Sequence, residues 1–143
     1  MLEQMMKKWK DLEKQIFNIL SEMFFLFPED ETPSLPKELY EGSISISNGS
    51  PIHLHFFIGA DLAKVMAENF IGEDEITERD IVETIKEFVN MVVGNYISDI
   101  DPEGMMELGI PQVRKVDPSE VEGLKGLAQY QIDGHFLGIW IKE

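Results

Sequence analysis

The sequence predicts an α+β fold, a largely antiparallel sheet with helices packed on it. Three observations lead there. Asn48-Gly49 stands between two runs in which apolar and polar residues alternate, a strong hairpin signal because both residues tolerate the positive φ of a tight turn. Two helical stretches then follow that hairpin directly, rather than alternating with strands. Asp133-Gly134 marks a second hairpin, which closes the chain.

Taken in order, residues 2–27 read as a helix. Leu2, Met5, Trp9, Leu12, Ile16, Ile19 and Met23 recur at spacings of three and four. That stripe fits an amphipathic helix lying on its own domain, and it also fits a contact with a second copy. Lys7, Lys8, Lys10 and Lys14 make its start basic. The run 23–27, MFFLF, is apolar all round and is expected in the core. Residues 28–38 form a connector, since Pro28, Pro33 and Pro36 exclude regular structure. Its acids Glu29, Asp30 and Glu31 lack the spacing of calcium ligands.

Residues 39–47 and 52–58 form the first hairpin, with Ile44 and Ile46 alternating with serines to give one buried and one wet face. His53 and His55, two apart, share a face. Two imidazoles so placed could bind a metal, yet no third ligand is evident, and a polar strand face explains them as well. Asp61 can cap a helix over 62–70, which Gly72 ends. After the second helix, Asp101-Pro102-Glu103-Gly104 turns the chain into a strand at 110–116. Another turn, Asp117-Pro118-Ser119, precedes a final hairpin of 124–132 and 135–141, with Trp140 as a core aromatic.

Composition limits the function. The chain of 143 residues suits one domain spanning 1–143, and its 43% apolar content suits a packed core. Its net charge of −15 repels phosphate backbones and anionic bilayers, so neither nucleic acid nor membrane is an expected partner. The absence of cysteine excludes disulfides and thiolate chemistry. No apolar run approaches the roughly 20 residues of a membrane span, and no signal-peptide core follows the first lysines. The expected compartment is the cytoplasm. Gly-rich phosphate loops, Gly-x-Ser-x-Gly and His-Glu-x-x-His motifs are all missing.

The most informative stretch is 77–100, TERDIVETIKEFVNMVVGNYISDI, which reads as one long helix. Thr77 and Asp80 have capping-box spacing. Ile81, Ile85, Phe88, Val89, Val92, Tyr96 and Ile97 form a buried stripe. At about 100° per residue, Glu83, Glu87, Asn90 and Gly94 share one outward strip. Glu87 and Asn90 are neighbours at i and i+3. Gly94 bares the backbone one turn further on, and a glycine there costs about 1 kcal/mol relative to alanine. Something is therefore expected to approach closely.

Glu87-Phe88-Val89-Asn90 on such a helix resembles the signature of the CheC/CheX/FliY phosphatases of bacterial chemotaxis. The continuation Asn90-Met91-Val92-Val93-Gly94-Asn95, the pair Ile110-Pro111, Glu-Met-Phe-Phe at 22–25 and the hairpin-then-helix of 43–70 are similar to the family as well. One motif helix, with none in 2–27, is closest to the single-motif CheX-like members. The resemblance implies a CheC/CheX-like fold and an aspartyl-phosphate phosphatase acting on a phosphorylated CheY-like receiver domain. In it Asn90, which carries both a donor and an acceptor, orients water. Glu87, ionised at neutral pH, pairs with the receiver's lysine and docks the helix. Glu83, Met91 and Gly94 are expected at the contact with the receiver. No cofactor or metal is expected on this chain, since magnesium belongs to the partner. A different class stays open: a non-catalytic module that binds a receiver or flagellar-switch proteins. A homodimer is compatible with both, provided it leaves the strip uncovered.

Overall fold

In the computed structural model, which describes the backbone of residues 2–142 and the side chains of residues 9–142, a seven-stranded antiparallel sheet carries three helices on one face. The elements are α1 (Leu2–Phe24), β1 (Pro28–Glu29), β2 (Leu39–Asn48), β3 (Ser50–Gly59), α2 (Ala60–Ile71), α3 (Glu78–Ile100), β4 (Glu107–Leu108), β5 (Gln112–Val116), α4 (Ser119–Glu122), β6 (Ala128–Ile132) and β7 (His135–Lys142). The sheet order is β1-β6-β7-β3-β2, with β4 and β5 both pairing the outer edge of β2. The α+β class and the antiparallel sheet are as the sequence predicts.

Both hairpins form where turn chemistry places them. Gly49 takes φ 93° between β2 and β3, while Asp133 and Gly134 take φ 46° and 83° between β6 and β7. Ile44, Ile46, Leu54, Phe56, Ile58, Leu137 and Ile139 face the helices and form the main core with them. A smaller cluster of Leu39, Phe57, Val116, Val121 and Phe136 covers part of the opposite face.

Helix α1 lies on its own domain, running against α3. Leu12, Ile16, Leu20 and Phe24 are fully buried, each contributing on the order of 2 kcal/mol. Gln15 donates to Asp99 across the helix pair at 2.7 Å. Leu2 and Met5 of the predicted stripe lie outside the residues whose side chains are described.

Four expectations need correction. The run 23–27 is not all core: Phe24 and Leu26 are buried, whereas Met23, Phe25 and Phe27 are exposed. The helix ends at Phe24, Phe25 turns left-handed with φ 58°, and the Leu26 amide donates back to the Leu20 carbonyl, so alternate side chains point outward. The connector is not wholly irregular, because Pro28–Glu29 pairs with Gln131–Ile132. Asp61 lies in the first turn of α2 rather than capping it; Gly59 holds the cap position without a side-chain hydrogen bond. Trp140 is only half-buried, and its indole donates to the Lys125 carbonyl at 3.0 Å.

Candidate functional site

Helix α3 is held on the sheet at several points. Its start is fixed by the predicted capping box: the Asp80 amide donates to Thr77 Oγ1 at 3.1 Å, and the Thr77 amide to the Asp80 carboxylate at 3.0 Å. Tyr40 on β2 donates to Glu78 at 2.9 Å, and Lys115 on β5 pairs with the same carboxylate oxygen at 3.1 Å. Lys115, ahead of Tyr40, holds the Glu78 carboxyl below its ordinary range. Burial, together with Glu78, pushes the Tyr40 hydroxyl up to about 12. Further along, Gly42 of β2 lies directly beneath the helix. A Cβ on it would stand 2.8 Å from Ile85 Cγ2 and 2.9 Å from Val89 Cγ2. A glycine in a strand often marks such a close approach of another element. Apart from the capping box, these anchors have no local signal, because they join residues far apart in the chain.

The buried side of α3 comprises Thr84, Ile85, Phe88, Val89, Val92, Val93 and Tyr96, with Ile81 and Ile97 half-buried at its margins. Phe88 meets Phe24 and Phe56 edge-on, with ring centroids 5.8 Å away in each case. Glu83 and Glu87 are exposed on the opposite side, and Asn90 and Gly94 are half-exposed. Met91 flanks the strip, half-buried against the core. The five residues singled out in the sequence thus come together on one helical surface. Glu83 accepts an exposed ion pair from Lys86 at 3.6 Å. Within the described residues no hydrogen bond or ion pair engages the side chain of Glu87 or Asn90. Nothing lies within 4 Å of a Cβ added at Gly94, whose carbonyl accepts from Ser98 Oγ at 3.1 Å. The glycine therefore serves no packing need of this chain. A carboxylate, a carboxamide and bare backbone lie side by side, open to an approaching surface.

The histidine pair lies on the other face of the sheet. His53 is exposed, while His55 leans on Trp140, with ring centroids 5.2 Å apart, and faces buried Glu41. His55 Nδ1 stands 3.5 Å from Glu41 Oε2, an ion-pair distance that closes no hydrogen bond, and Arg114 Nε donates to Glu41 Oε1 at 3.1 Å. The imidazole, ahead of the guanidinium, holds the Glu41 carboxyl below its ordinary 4.5 against the opposing effect of burial. This cluster ties β2, β3 and β5 together. Among the described residues no group of three or more His, Cys, Asp or Glu converges as a metal site. No described helix is long and apolar enough to cross a membrane.

The family model for the chemotaxis phosphatase CheX matches residues 40–135. No curated protein matches by sequence. Among solved structures, the chain is similar to the chemotaxis protein CheX from Vibrio vulnificus, at 16% identity and a TM-score of 0.69 over 93% of this chain and 95% of that one. It is similar to a chemotaxis protein CheX from Desulfovibrio desulfuricans, at 12% identity and a TM-score of 0.71 over 95% and 98% of the two chains. A third is in the CheX-CheY-BeF3-Mg2+ complex from Borrelia burgdorferi, at 13% identity and a TM-score of 0.62 over 94% and 97%. At these identities the structural likeness shows the fold.

Proposed function

This chain belongs to the CheX family of chemotaxis phosphatases, and on that premise we propose that it hydrolyses the aspartyl phosphate of a CheY-like receiver domain. The observation that carries the reading is the unpartnered pair Glu87 and Asn90 on the exposed face of α3, beside open backbone at Gly94. The relative from Borrelia burgdorferi is described in complex with a CheY, BeF3 and Mg2+, which supports a receiver as the partner.

Hydrolysis forms a bond from a water oxygen to phosphorus and breaks the bond from phosphorus to the aspartyl oxygen. It releases inorganic phosphate and an aspartate carboxylate. The chemistry needs a water held in line with that departing oxygen, so positioning and charge supply most of the rate. Asn90 suits the task, because a carboxamide can accept from the water and donate to a phosphoryl oxygen without titrating. Glu87, one turn earlier, supplies a carboxylate for a receiver lysine and so aligns the helix. Glu83 and Met91 extend the contact on either side, and Gly94 lets the receiver approach the helix backbone. The magnesium ion belongs to the receiver's site.

The direct test follows phosphate release from a phosphorylated receiver of the same genome, with and without this protein. The reading predicts faster release at substoichiometric protein. Tight receiver binding with no acceleration would replace catalysis with a docking role.

A further inference from the structure

The C-terminal ends of α1 and α2 meet on a part of the surface that the phosphatase reading does not use. Phe24 stacks on Phe70 with ring centroids 5.2 Å apart, and Asn69 Nδ2 donates to the Phe24 carbonyl at 2.7 Å. Around this junction large apolar side chains face water: Phe25 is 65% exposed, Phe27 56%, Met23 39%, Ile71 39% and Phe70 37%. Single exposed apolar residues are ordinary, but a cluster on two adjoining helix ends marks an interaction surface.

Phe25 adds an independent sign. It takes φ 58° at the end of α1, a left-handed conformation that glycine adopts freely and a β-carbon disfavours. The residue is thus held in a strained backbone state, yet its ring packs on little of its own chain. Strain of this kind, where the fold gains nothing from the side chain, points to a contact made with something else.

The surroundings state the chemistry of that contact. From residue 15 to 36 the charged residues are Glu22, Glu29, Asp30 and Glu31, with no base. From 65 to 78 they are Glu68, Glu73, Asp74, Glu75 and Glu78, again with no base. Lys115 takes up Glu78, and Glu29 accepts from the Gly134 amide and from Gln131 Nε2. No ion pair among the described residues engages Glu22, Asp30, Glu31, Glu68, Glu73, Asp74 or Glu75. An open depression of about 350 Å³ between Phe17, Tyr130 and the acids 29–31 offers room for a long basic side chain. An aromatic patch rimmed by carboxylates, most of them without a cationic partner among the described residues, complements an amphipathic helix with apolar anchors and flanking lysines or arginines. A second copy of this chain would instead bring a net charge of −15 against the same rim, and an anionic bilayer would be repelled in the same way.

We propose that the joined ends of α1 and α2 form a second docking surface, separate from the α3 strip, for a basic amphipathic helix of a partner protein. The probe is a fluorescent lysine/leucine amphipathic peptide, with a glutamate/leucine peptide of the same pattern as control. Binding is read by anisotropy on the intact chain. Only the basic peptide is expected to bind. Phe25→Asn combined with Phe27→Ser is expected to weaken it about tenfold or more with the charge unchanged, as loss of aromatic anchors does. Asn90→Ala is expected to leave it unaltered. Phe25→Asn alone is expected to keep or raise the melting temperature, since asparagine tolerates the left-handed state. Peptide binding indifferent to the aromatic changes would reduce the contact to bulk charge and overturn the proposal. A fall in melting temperature on Phe25→Asn would make the ring structural and overturn it too. Concentration-dependent sedimentation abolished by Phe25→Asn would assign the surface to a second copy. Loss of binding to phosphatidylglycerol vesicles in the same variant would assign it to a membrane. Either result also refutes the proposal.

Discussion

Replacing Gly42 by alanine tests how the sheet positions the strip. The added Cβ would stand 2.8 Å from Ile85 Cγ2 and 2.9 Å from Val89 Cγ2, both on fully buried side chains. Carbon atoms in contact prefer about 3.5–4.0 Å, so the helix must lift by roughly 1 Å or the two side chains must leave their rotamers. Overpacking of this kind costs about 1–3 kcal/mol. Removing a glycine from a strand returns about 0.5–1 kcal/mol. The expected net loss is about 1–2 kcal/mol, or roughly 3–6 °C in Tm for a chain of this size. Thermal and urea unfolding followed by circular dichroism measure it. Val89→Ala frees one of the two contacts, so the double variant should lose about 1 kcal/mol less than the sum of the singles. If the helix lifts, phosphate release from the receiver should also fall, by up to about 100-fold for a displacement near 1 Å. Additive stabilities, or an unchanged Tm in Gly42→Ala, would refute the claim that α3 is seated on β2 at this glycine.

Three further perturbations separate fold from function. Gly94→Ala should raise stability by about 1 kcal/mol, since nothing meets the new Cβ; Gly94→Leu should keep the fold yet weaken receiver binding about tenfold, and unimpaired binding would show that the receiver does not approach there. Glu87→Lys should weaken the receiver complex more at low salt than at high salt, because the exposed charge steers as well as contacts; titrations at two ionic strengths decide it. Glu41 has a folded pKa below its ordinary 4.5, so its contribution is complete above 4.5 and disappears as pH falls through the folded value. Glu41→Gln should therefore lower the urea midpoint at neutral pH and flatten its decline below 4.5; parallel acid limbs in the two proteins would contradict the role of this cluster.

What the sequence revealed, and what it did not, divides by the range of the interaction. The hairpin at Gly49, the turn at Asp133-Gly134 and the capping box of Thr77 and Asp80 are local, and each forms as read. The strip of α3 was also legible, because helical geometry alone puts Glu83, Glu87, Asn90 and Gly94 opposite the buried Phe88 and Val92. The end of α1 was not. No glycine marks it, and an apolar run such as 23–27 does not say which residues turn outward once Phe25 leaves the helix. Strands β1 and β4, two residues each, exist only through pairing with β6 and β2, so no local pattern announces them. The same holds for Glu41, His55 and Arg114, and for Tyr40, Glu78 and Lys115. Strand register and helix packing bring each group together from distant parts of the chain.

The central claim is that Asn90 orients the water that attacks the receiver's aspartyl phosphate. The most direct measurement compares wild type and Asn90→Ala for two quantities, the rate of phosphate release from the phosphorylated receiver at saturating protein and the affinity for that receiver. Asn90 is half-exposed and its side chain makes no hydrogen bond within the described residues, so the variant should melt with the wild type. A group that acts mainly in the transition state affects the rate far more than binding. Most of the accelerated release should be lost, on the order of 100-fold, with affinity within about twofold of wild type. Full activity in a folded Asn90→Ala protein would contradict it.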